Sequence, residues 1–202
     1  DRADEVVAKL PRAQGGSAFA IIVDHGLRSE SADEARIAAE QLRSANIAAC
    51  IHKVTSMPPE NGVPAWARKA RYDLLRDAAV ERGALHLLLA HHQDDQAETL
   101  LLRLARGSGV KGLSGMRGVQ PSADLRLLRP LLDFPKARVT ATADATGWTI
   151  ADDPSNRATK YTRTRIRNAL AGSSGDTTRL AKTAATLTSE DAAIEQAVTS
   201  LA

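Results

Sequence analysis

An apolar run that ends at a group of polar side chains constrains this chain more than any other feature. Residues 87–90 are Leu-Leu-Leu-Ala, and Leu100, Leu101 and Leu104 follow at helical spacing. Between them stand five groups able to take part in chemistry, namely His91, His92, Asp94, Asp95 and Glu98. The pattern predicts a buried strand, a polar turn and a helix. Because ligands of open α/β sheets bind where strands end, the turn is a candidate functional site.

Two further strand–helix pairs precede this segment. Residues 19–23 and 47–54 are rich in residues that favour strands. Residues 35–45 carry small apolar residues on one helical face, and residues 64–82 form a helix with proline in its first turn. Strands that alternate with helices predict a parallel sheet covered on both faces. The fold class expected is therefore α/β, a doubly wound parallel sheet with a C-terminal helical appendage.

The second half of the chain differs from the first in composition and in its predicted elements. Residues 107–116 are rich in glycine, which predicts a loop that crosses the mouth of the site. The elements predicted after it are a strand over 125–132 and helices over 135–146, over 162–170 and from 176 onward. We expect an α/β domain over 1–132 and a helical, RNA-contacting region over 133–202.

The distribution of charge and the cysteine content limit the classes of function that this chain can have. From Arg103 to Arg167 there are 13 Lys and Arg against five Asp and Glu, although the net charge of the whole chain is only +3. Such a segment suits a polyanion, because neutralisation of phosphates dominates nucleic-acid affinity, while a solvated surface explains it equally well. The single cysteine, Cys50, excludes an intramolecular disulfide or a cysteine-paired metal site and indicates a reducing cytoplasm. No apolar stretch approaches the ~20 residues that span a bilayer, so no membrane partner is expected.

The polar turns after two strands are predicted to meet. Asp24 and His25 follow one strand, and the turn at 91–95 follows another, so a parallel sheet brings both to one edge. Glu98 lies one helical turn beyond Asp94 and Asp95, and these carboxylates can face one pocket that holds Mg²⁺ or an ammonium group. Capping of the helix explains one aspartate but not the whole cluster.

Two weaker signals point to phosphate binding. Arg68 and Arg71 share one side of a helix with Tyr72, which allows a guanidinium to meet a phosphate or carboxylate, or else to form surface ion pairs. The Gly107-x-Gly109 spacing allows backbone N–H groups to approach a phosphate.

Several blocks of this sequence, in this order, resemble the tRNA(Ile)-lysidine synthetases, which are similar to the N-type ATP pyrophosphatases with their adenine nucleotide alpha hydrolase-like fold. The blocks are residues 23–31, 67–72, 90–99, 103–116, 129–132 and 153–167. The resemblance implies that ATP adenylates the C2 oxygen of the wobble cytidine in a CAU-anticodon tRNA(Ile), and that the amine of L-lysine then displaces AMP. It implies ATP and Mg²⁺ as cofactors and a cytoplasmic enzyme, and it allows a homodimer.

The resemblance also assigns roles by position. Catalytic roles fall to His92, Asp94, Asp95 and Glu98, with Asp94 and Asp95 as metal ligands. Substrate and nucleotide contacts fall to Asp24, His25, Arg28, Arg68, Arg71, Arg106, Gly107, Ser108 and Gly109. Contacts with tRNA fall to Arg157, Lys160, Arg163, Arg165 and Arg167.

The chain departs from the family in one large respect. The family opens with a strand and an S-G-G-x-D-S loop that grips the ATP phosphates, and this sequence contains no such motif. We expect that strand and loop to lie upstream of Asp1. A smaller departure is Thr164, where the family more often has asparagine.

Two other functions fit the same residues. A metal-dependent phosphoesterase would use a two-metal site made of Asp24, His25, His91, His92, Asp94 and Asp95. A non-catalytic RNA-binding module would need only the basic segment.

Overall fold

The computed structural model describes residues 5–6, 17–149, 162–171 and 174–200. The strands are β1 (Glu5–Val6), β2 (Phe19–Asp24), β3 (Ala48–Lys53), β4 (His86–Leu88), β5 (Val119–Pro121) and β6 (Arg126–Leu128). The helices are α1 (Ser31–Ser44), α2 (Val63–Glu81), α3 (Gln93–Ala105), α4 (Val110–Leu113), α5 (Lys136–Asp144), α6 (Thr162–Leu170) and α7 (Ser174–Ser200).

The chain forms two compact units, each assembled from separate segments. Unit one comprises Asp1–Ala90, Val119–Leu128 and Gly147–Ala151, and unit two comprises His91–Gly118, Arg129–Thr146 and Asp152–Ala202. The described strands all belong to unit one, whereas α3 to α7 belong to unit two. The domain boundary expected at residue 132 stays a prediction.

Unit one contains two three-stranded sheets, ordered β1-β2-β3 and β4-β6-β5. The β2–β3 and β4–β6 pairs are parallel, with Phe19 opposite Ala48 and His86 opposite Arg126, as expected of an α/β fold. The outer strands β1 and β5 pair antiparallel and were not predicted. β5 is short, exposed and ends at Pro121, which is typical of an edge strand and leaves little apolar signal in the sequence.

Strand β2 is buried on both faces. Ile21 and Val23 belong to a core cluster that includes Leu75 of α2, and Ala20 and Ile22 belong to a second cluster with α1. Successive side chains of a strand point to opposite faces, so one strand fills two cores. The prediction that helices cover both faces is confirmed here.

Within unit one, a glutamine side chain of α1 holds residues 148–149 by hydrogen bonds. The Gln41 Nε2 group donates to the Thr149 carbonyl oxygen over 3.1 Å, and the Thr149 N–H donates to Gln41 Oε1 over 2.5 Å. Trp148 packs against the α1 core cluster. Residues 148–149 are thus held by side-chain contacts.

Unit two is built on the packing of α3 against α6 and α7 and of α4 against α7. Ala97 and Leu100 of α3 and Ala181 and Ala184 of α7 are buried. The prediction of a continuous loop over residues 107–116 is wrong in part, because α4 forms a helical turn there. No helix in the described ranges is both long and apolar enough to cross a membrane.

The position of Gly112 explains why a glycine-rich segment becomes helical. A Cβ atom at Gly112 would lie 2.9 Å from the Ser108 Cβ, so the turn closes more tightly than a side chain allows. The Leu113 N–H donates to the Gly109 carbonyl oxygen over 2.9 Å. Helix propensity counts against glycine, but tertiary packing overrides so weak a preference.

We expect Leu75→Ala to destabilise unit one by about 2–5 kcal/mol, because truncating a fully buried leucine removes apolar contacts and leaves a cavity. The free energy of unfolding from urea titration checks this. The matched control is Leu85→Ala, whose side chain is 75% exposed and whose loss should be nearly neutral. Equal losses for the two variants would contradict the assignment of Leu75 to the core.

Candidate functional site

The polar turn predicted from the sequence is the N-terminus of α3. His92 has extended backbone and is the N-cap residue. Its N–H donates to Asp95 Oδ2 over 3.0 Å, so the Asp95 carboxylate reaches back to the residue that begins the helix. A bond from the N-cap N–H to the carboxylate three residues further on is one half of a capping box. One of the two aspartates is therefore explained in part by helix capping, as the sequence suggested.

Asp94 also stabilises a helix, but a different one. The Lys136 N–H at the start of α5 donates to Asp94 Oδ1 over 2.7 Å, and the Gln93 N–H donates to the Phe134 carbonyl oxygen over 3.0 Å. A carboxylate at a helix N-terminus satisfies a free N–H group and opposes the helix dipole. The Asp94 side chain is nevertheless 32% exposed, so it still reaches solvent.

Glu98 is the most deeply buried carboxylate of the site, with a side chain only 2% exposed. Arg163 of α6 donates from Nε to Glu98 Oε2 over 2.7 Å and from Nη2 to Asp95 Oδ1 over 3.1 Å. Arg167 of α6 donates from Nε to Glu98 Oε1 over 2.7 Å and from Nη2 to Oε2 over 3.2 Å. We call these four residues, Asp95, Glu98, Arg163 and Arg167, the carboxylate–guanidinium cluster.

The electrostatics of this cluster favour its charged state. Burial by itself would raise the pKa of Glu98, but hydrogen bonds and charge from Arg167 and Arg163 outweigh it and lower that pKa below its ordinary value. Burial likewise opposes the charge on Arg163, yet its contacts with Glu98 and Asp95 raise its pKa. The two acids and two guanidinium groups balance one another.

His92 lies beside two of these acids. Its Nδ1 atom is 3.5 Å from Asp95 Oδ2 and 3.8 Å from Asp94 Oδ1, which are distances longer than a normal hydrogen bond. Its side chain is 17% exposed, whereas His91 is buried. The catalytic role expected for His92 stays a prediction.

The turn between β2 and α1 lies in unit one and is held by Asp24. Its Oδ1 accepts hydrogen bonds from the Gly26 N–H over 2.9 Å and from the Ser31 hydroxyl over 2.7 Å. Gly26 has a φ of 61°, which disfavours a side chain there. Arg28 forms a two-pronged ion pair with Glu34. The predicted meeting of this turn with the first turn of α3 stays a prediction.

The arginines predicted on α2 differ in environment. Arg68 is exposed, stacks on the Tyr72 ring at 4.9 Å and donates to its hydroxyl over 3.1 Å. Arg71 is buried, and its guanidinium lies 5.9 Å from the same ring. His25, on the β2–α1 turn, is half-buried. The surface position of Arg68 leaves it reachable by a solute.

The glycine spacing after α3 has a structural reason. Gly107 has a φ of 69°, its N–H donates to the Leu104 carbonyl oxygen over 2.9 Å, and the Ser108 N–H donates to the Arg103 carbonyl oxygen over 3.1 Å. These two bonds form a Schellman motif that ends the helix. Because the N–H groups of Gly107 and Ser108 serve the helix, the expected phosphate contact of this segment falls to Gly109. Arg106, at the helix end, is exposed.

The basic residues assigned to tRNA divide into three groups. Arg163 and Arg167 bind the carboxylates described above, which the sequence did not predict. Arg165, on the same helix, is exposed. Arg157 and Lys160 lie outside the described residues.

Sequence reasoning missed Gln96. Its side chain is buried, and its Nε2 donates to the Met116 carbonyl oxygen over 2.8 Å while the Met116 N–H donates to Oε1 over 2.7 Å. Arg103, also on α3, donates to the Ser114 carbonyl oxygen. The available signal was the spacing of Gln96 four residues before Leu100, on the buried side of α3.

The donor set limits how a divalent cation can bind. Mg²⁺ is commonly held by one or two carboxylates together with substrate phosphates and water. Both oxygens of Asp95 already accept hydrogen bonds, from His92 and Arg163, whereas Asp94 is bonded through Oδ1 and is part-exposed. Asp94 therefore fits as a single ligand. Among the described residues no group of three or more His, Cys, Asp or Glu side chains can hold a metal ion.

Comparison with known proteins gives similarity over most of the chain. A family described as the PP-loop domain matches residues 5–173. A tRNA(Ile)-lysidine synthase of Bradyrhizobium diazoefficiens is 47% identical over 91% of this chain and 52% of its own length. One from Rhodopseudomonas palustris is 42% identical over 89% of this chain and 53% of its own length. The chain spans about half the length of these curated relatives.

A solved structure shares the fold. The U34-tRNA thiolase NcsA from Methanococcus maripaludis, with its [4Fe-4S] cluster, superposes with a TM-score of 0.65 at 17% identity. The match covers 84% of this chain and 61% of that one. It confirms the α/β fold class predicted from the sequence.

We expect Glu98→Gln to destabilise unit two by about 3–5 kcal/mol, because it leaves two largely buried guanidinium groups without their shared carboxylate. Urea titration followed by circular dichroism measures the change. The matched control is Glu40→Gln, an exposed glutamate on α1 that pairs with Arg36 and should matter little. Equal effects at the two positions would refute the importance of burial.

The lowered pKa of Glu98 predicts a pH dependence of stability. Its contribution is present above the ordinary glutamate pKa of about 4.3 and is lost as pH falls through the lower pKa of the folded protein. The difference in unfolding free energy between the wild type and Glu98→Gln should therefore shrink from pH 6 to pH 3. A difference that stays constant over this range would contradict the ion-pair assignment.

Proposed function

We propose, from the premise that this chain belongs to the PP-loop domain family, that it carries the ATP-dependent site of a tRNA(Ile)-lysidine synthase. The observation that carries the proposal is the 47% identity to a curated enzyme of that name over 91% of the chain. Its substrates are ATP, L-lysine and a tRNA(Ile) with a CAU anticodon, and it works in the cytoplasm. A homodimer is compatible with the proposal.

The reaction has two steps. The C2 oxygen of the wobble cytidine attacks the α-phosphorus of ATP, and pyrophosphate leaves. The side-chain amine of lysine then attacks C2, loses a proton and expels AMP, which leaves a new C–N bond. The first step turns a poor leaving oxygen into a good one, and nearby cations offset the charge that collects on pyrophosphate.

The first turn of α3 supports this chemistry. Bound Mg²⁺ would supply charge neutralisation at the phosphates, and Asp94 is the residue that would hold it. We assign to His92, whose Nδ1 lies near two carboxylates, the removal of the proton from the lysine amine. Glu98 and Asp95 hold α6 through their arginines.

Binding of the large substrates falls to the remaining predicted residues. We assign tRNA phosphates to the exposed Arg165 and to Arg157 and Lys160. In unit two we assign a nucleotide contact to Gly109, and within unit one, taken by itself, we assign substrate and nucleotide contacts to residues of the β2–α1 turn and of α2. These residues of unit one are Asp24 through its turn, and His25, Arg28, Arg68 and Arg71. Arginine suits phosphate because its planar fork donates two parallel hydrogen bonds.

The metal-dependent phosphoesterase has no support. The relatives carry a different name and activity, and the described residues lack a group of three potential ligands. No observation favours it over ligation.

The decisive experiment is incorporation of labelled lysine into tRNA by the intact gene product that carries this sequence. With ATP and Mg²⁺, label should enter tRNA(Ile) with a CAU anticodon and not the initiator methionine tRNA, which carries the same anticodon. Omission of ATP is the control and should abolish labelling. Binding of tRNA(Ile) without any lysine transfer would overturn the proposal in favour of an RNA-binding module.

A further inference from the structure

We propose that Gln96 is a positioning residue of this site, which holds the segment Gly107–Met116 in a fixed place relative to the acidic first turn of α3. The inference rests on the proposed function, in which that segment passes near the nucleotide. Gln96 lies directly after Asp95 and two residues before Glu98, so one helical turn carries both the candidate catalytic residues and the side chain that holds this segment. We call the contact of Gln96 with Met116 the clamp.

The contact is a two-way hydrogen bond between a side-chain amide and a backbone. Gln96 Nε2 donates to the Met116 carbonyl oxygen over 2.8 Å, and Gln96 Oε1 accepts from the Met116 N–H over 2.7 Å. The side chain is buried, so water does not compete for these groups. A side-chain amide supplies a donor and an acceptor at once, and a buried leucine or an ionised glutamate does not. The clamp therefore requires the amide itself.

Gly115, the residue before Met116, leaves room for this amide because it has no side chain. A Cβ atom at Gly115 would lie 2.8 Å from Gln96 Oε1, 3.1 Å from Gln96 Nε2 and 3.1 Å from the Ala184 Cβ of α7. Real Cβ atoms do not approach so closely, so any side chain at Gly115 displaces the amide or the helix. Gln96 and Gly115 are complementary, although 19 positions of sequence separate them.

Other contacts hold the same segment from both sides. Arg103 donates to the Ser114 carbonyl oxygen, and Arg117 donates to Glu195 Oε2 over 2.6 Å. At the other end, the Schellman turn at Gly107 fixes the departure of the chain from α3. The segment is thus set at its start by α3 and at its end by Gln96. A shift of about 1 Å in a positioned group can reduce turnover about 100-fold, so the clamp bears on rate as well as stability.

The variant Gln96→Glu separates positioning from folding. Its ionised carboxylate accepts from the Met116 N–H as the amide does, but it cannot donate to the Met116 carbonyl oxygen and repels it. One of the two hydrogen bonds is therefore lost with almost no change in side-chain volume.

The test measures lysine transfer and tRNA binding by the intact gene product. We expect kcat of Gln96→Glu to be roughly 10- to 100-fold below the wild type, with tRNA affinity unchanged. Gln96→Leu, which loses both hydrogen bonds, should be at least as slow. Gln196→Glu, an exposed position on α7, is the matched control and should equal the wild type. A Gln96→Glu variant with the kcat of the wild type, or one whose tRNA affinity falls as far as its kcat, would overturn the proposal.

A second arm does not depend on activity. Hydrogen exchange of the Met116 amide should be at least about tenfold faster in Gln96→Leu than in the wild type, because its acceptor is lost. In a double-mutant cycle, the combined effect of Gly115→Ala and Gln96→Leu should be less than the sum of the two single effects, because part of the cost of each is the loss of the same contact. Unchanged exchange or strictly additive effects would refute the clamp. A wild type without lysine transfer but with a protected Met116 amide would refute the proposed function and retain the clamp.

Discussion

Burial of the Glu98 carboxylate is the constraint on which unit two depends. A charge removed from water is costly unless partners replace its hydration, and here Arg163 and Arg167 donate hydrogen bonds to both Glu98 oxygens. The Arg163 and Arg167 side chains are 28% and 25% exposed. The cost of removing charge from water is therefore shared by three side chains. Attachment of α6 to α3 is therefore electrostatic in origin, and it aligns the basic helix with the acidic turn.

Helix α3 organises unit two through polar residues of its first two turns. These residues hydrogen-bond to several separate parts of the chain. Gln93 contacts Phe134 and Thr178, Asp94 contacts Lys136, and Gln96 contacts Met116. Asp95 contacts His92 and Arg163, and Glu98 contacts Arg163 and Arg167. Contacts with so many distant segments make this turn sensitive to change. The same density of contacts keeps its side chains in one geometry, as a site of chemistry requires.

Sequence reasoning found the elements whose signal is local. The apolar run at 87–90, the polar turn and the helical repeat of Leu100 and Leu104 lie within one stretch, so β4 and α3 were predicted with their order and site. It did not find the partners of Glu98, because Arg163 is 65 residues away and no periodicity links them. It also missed α4, where the close contact of Gly112 with Ser108 outweighs the propensity of glycine.

The arginines of α6 cannot all serve one purpose. If a tRNA phosphate drew Arg163 and Arg167 away, Glu98 would stay buried without a counter-charge, and that cost would oppose binding. Arg165 carries no such cost, because its side chain is exposed on the same helix. The three arginines of the sequence Arg163-Thr164-Arg165-Ile166-Arg167 therefore differ in their surroundings. The flanking arginines fix the helix on the acidic turn, whereas the central one is exposed and is the arginine of this helix that we propose for contact with an anion.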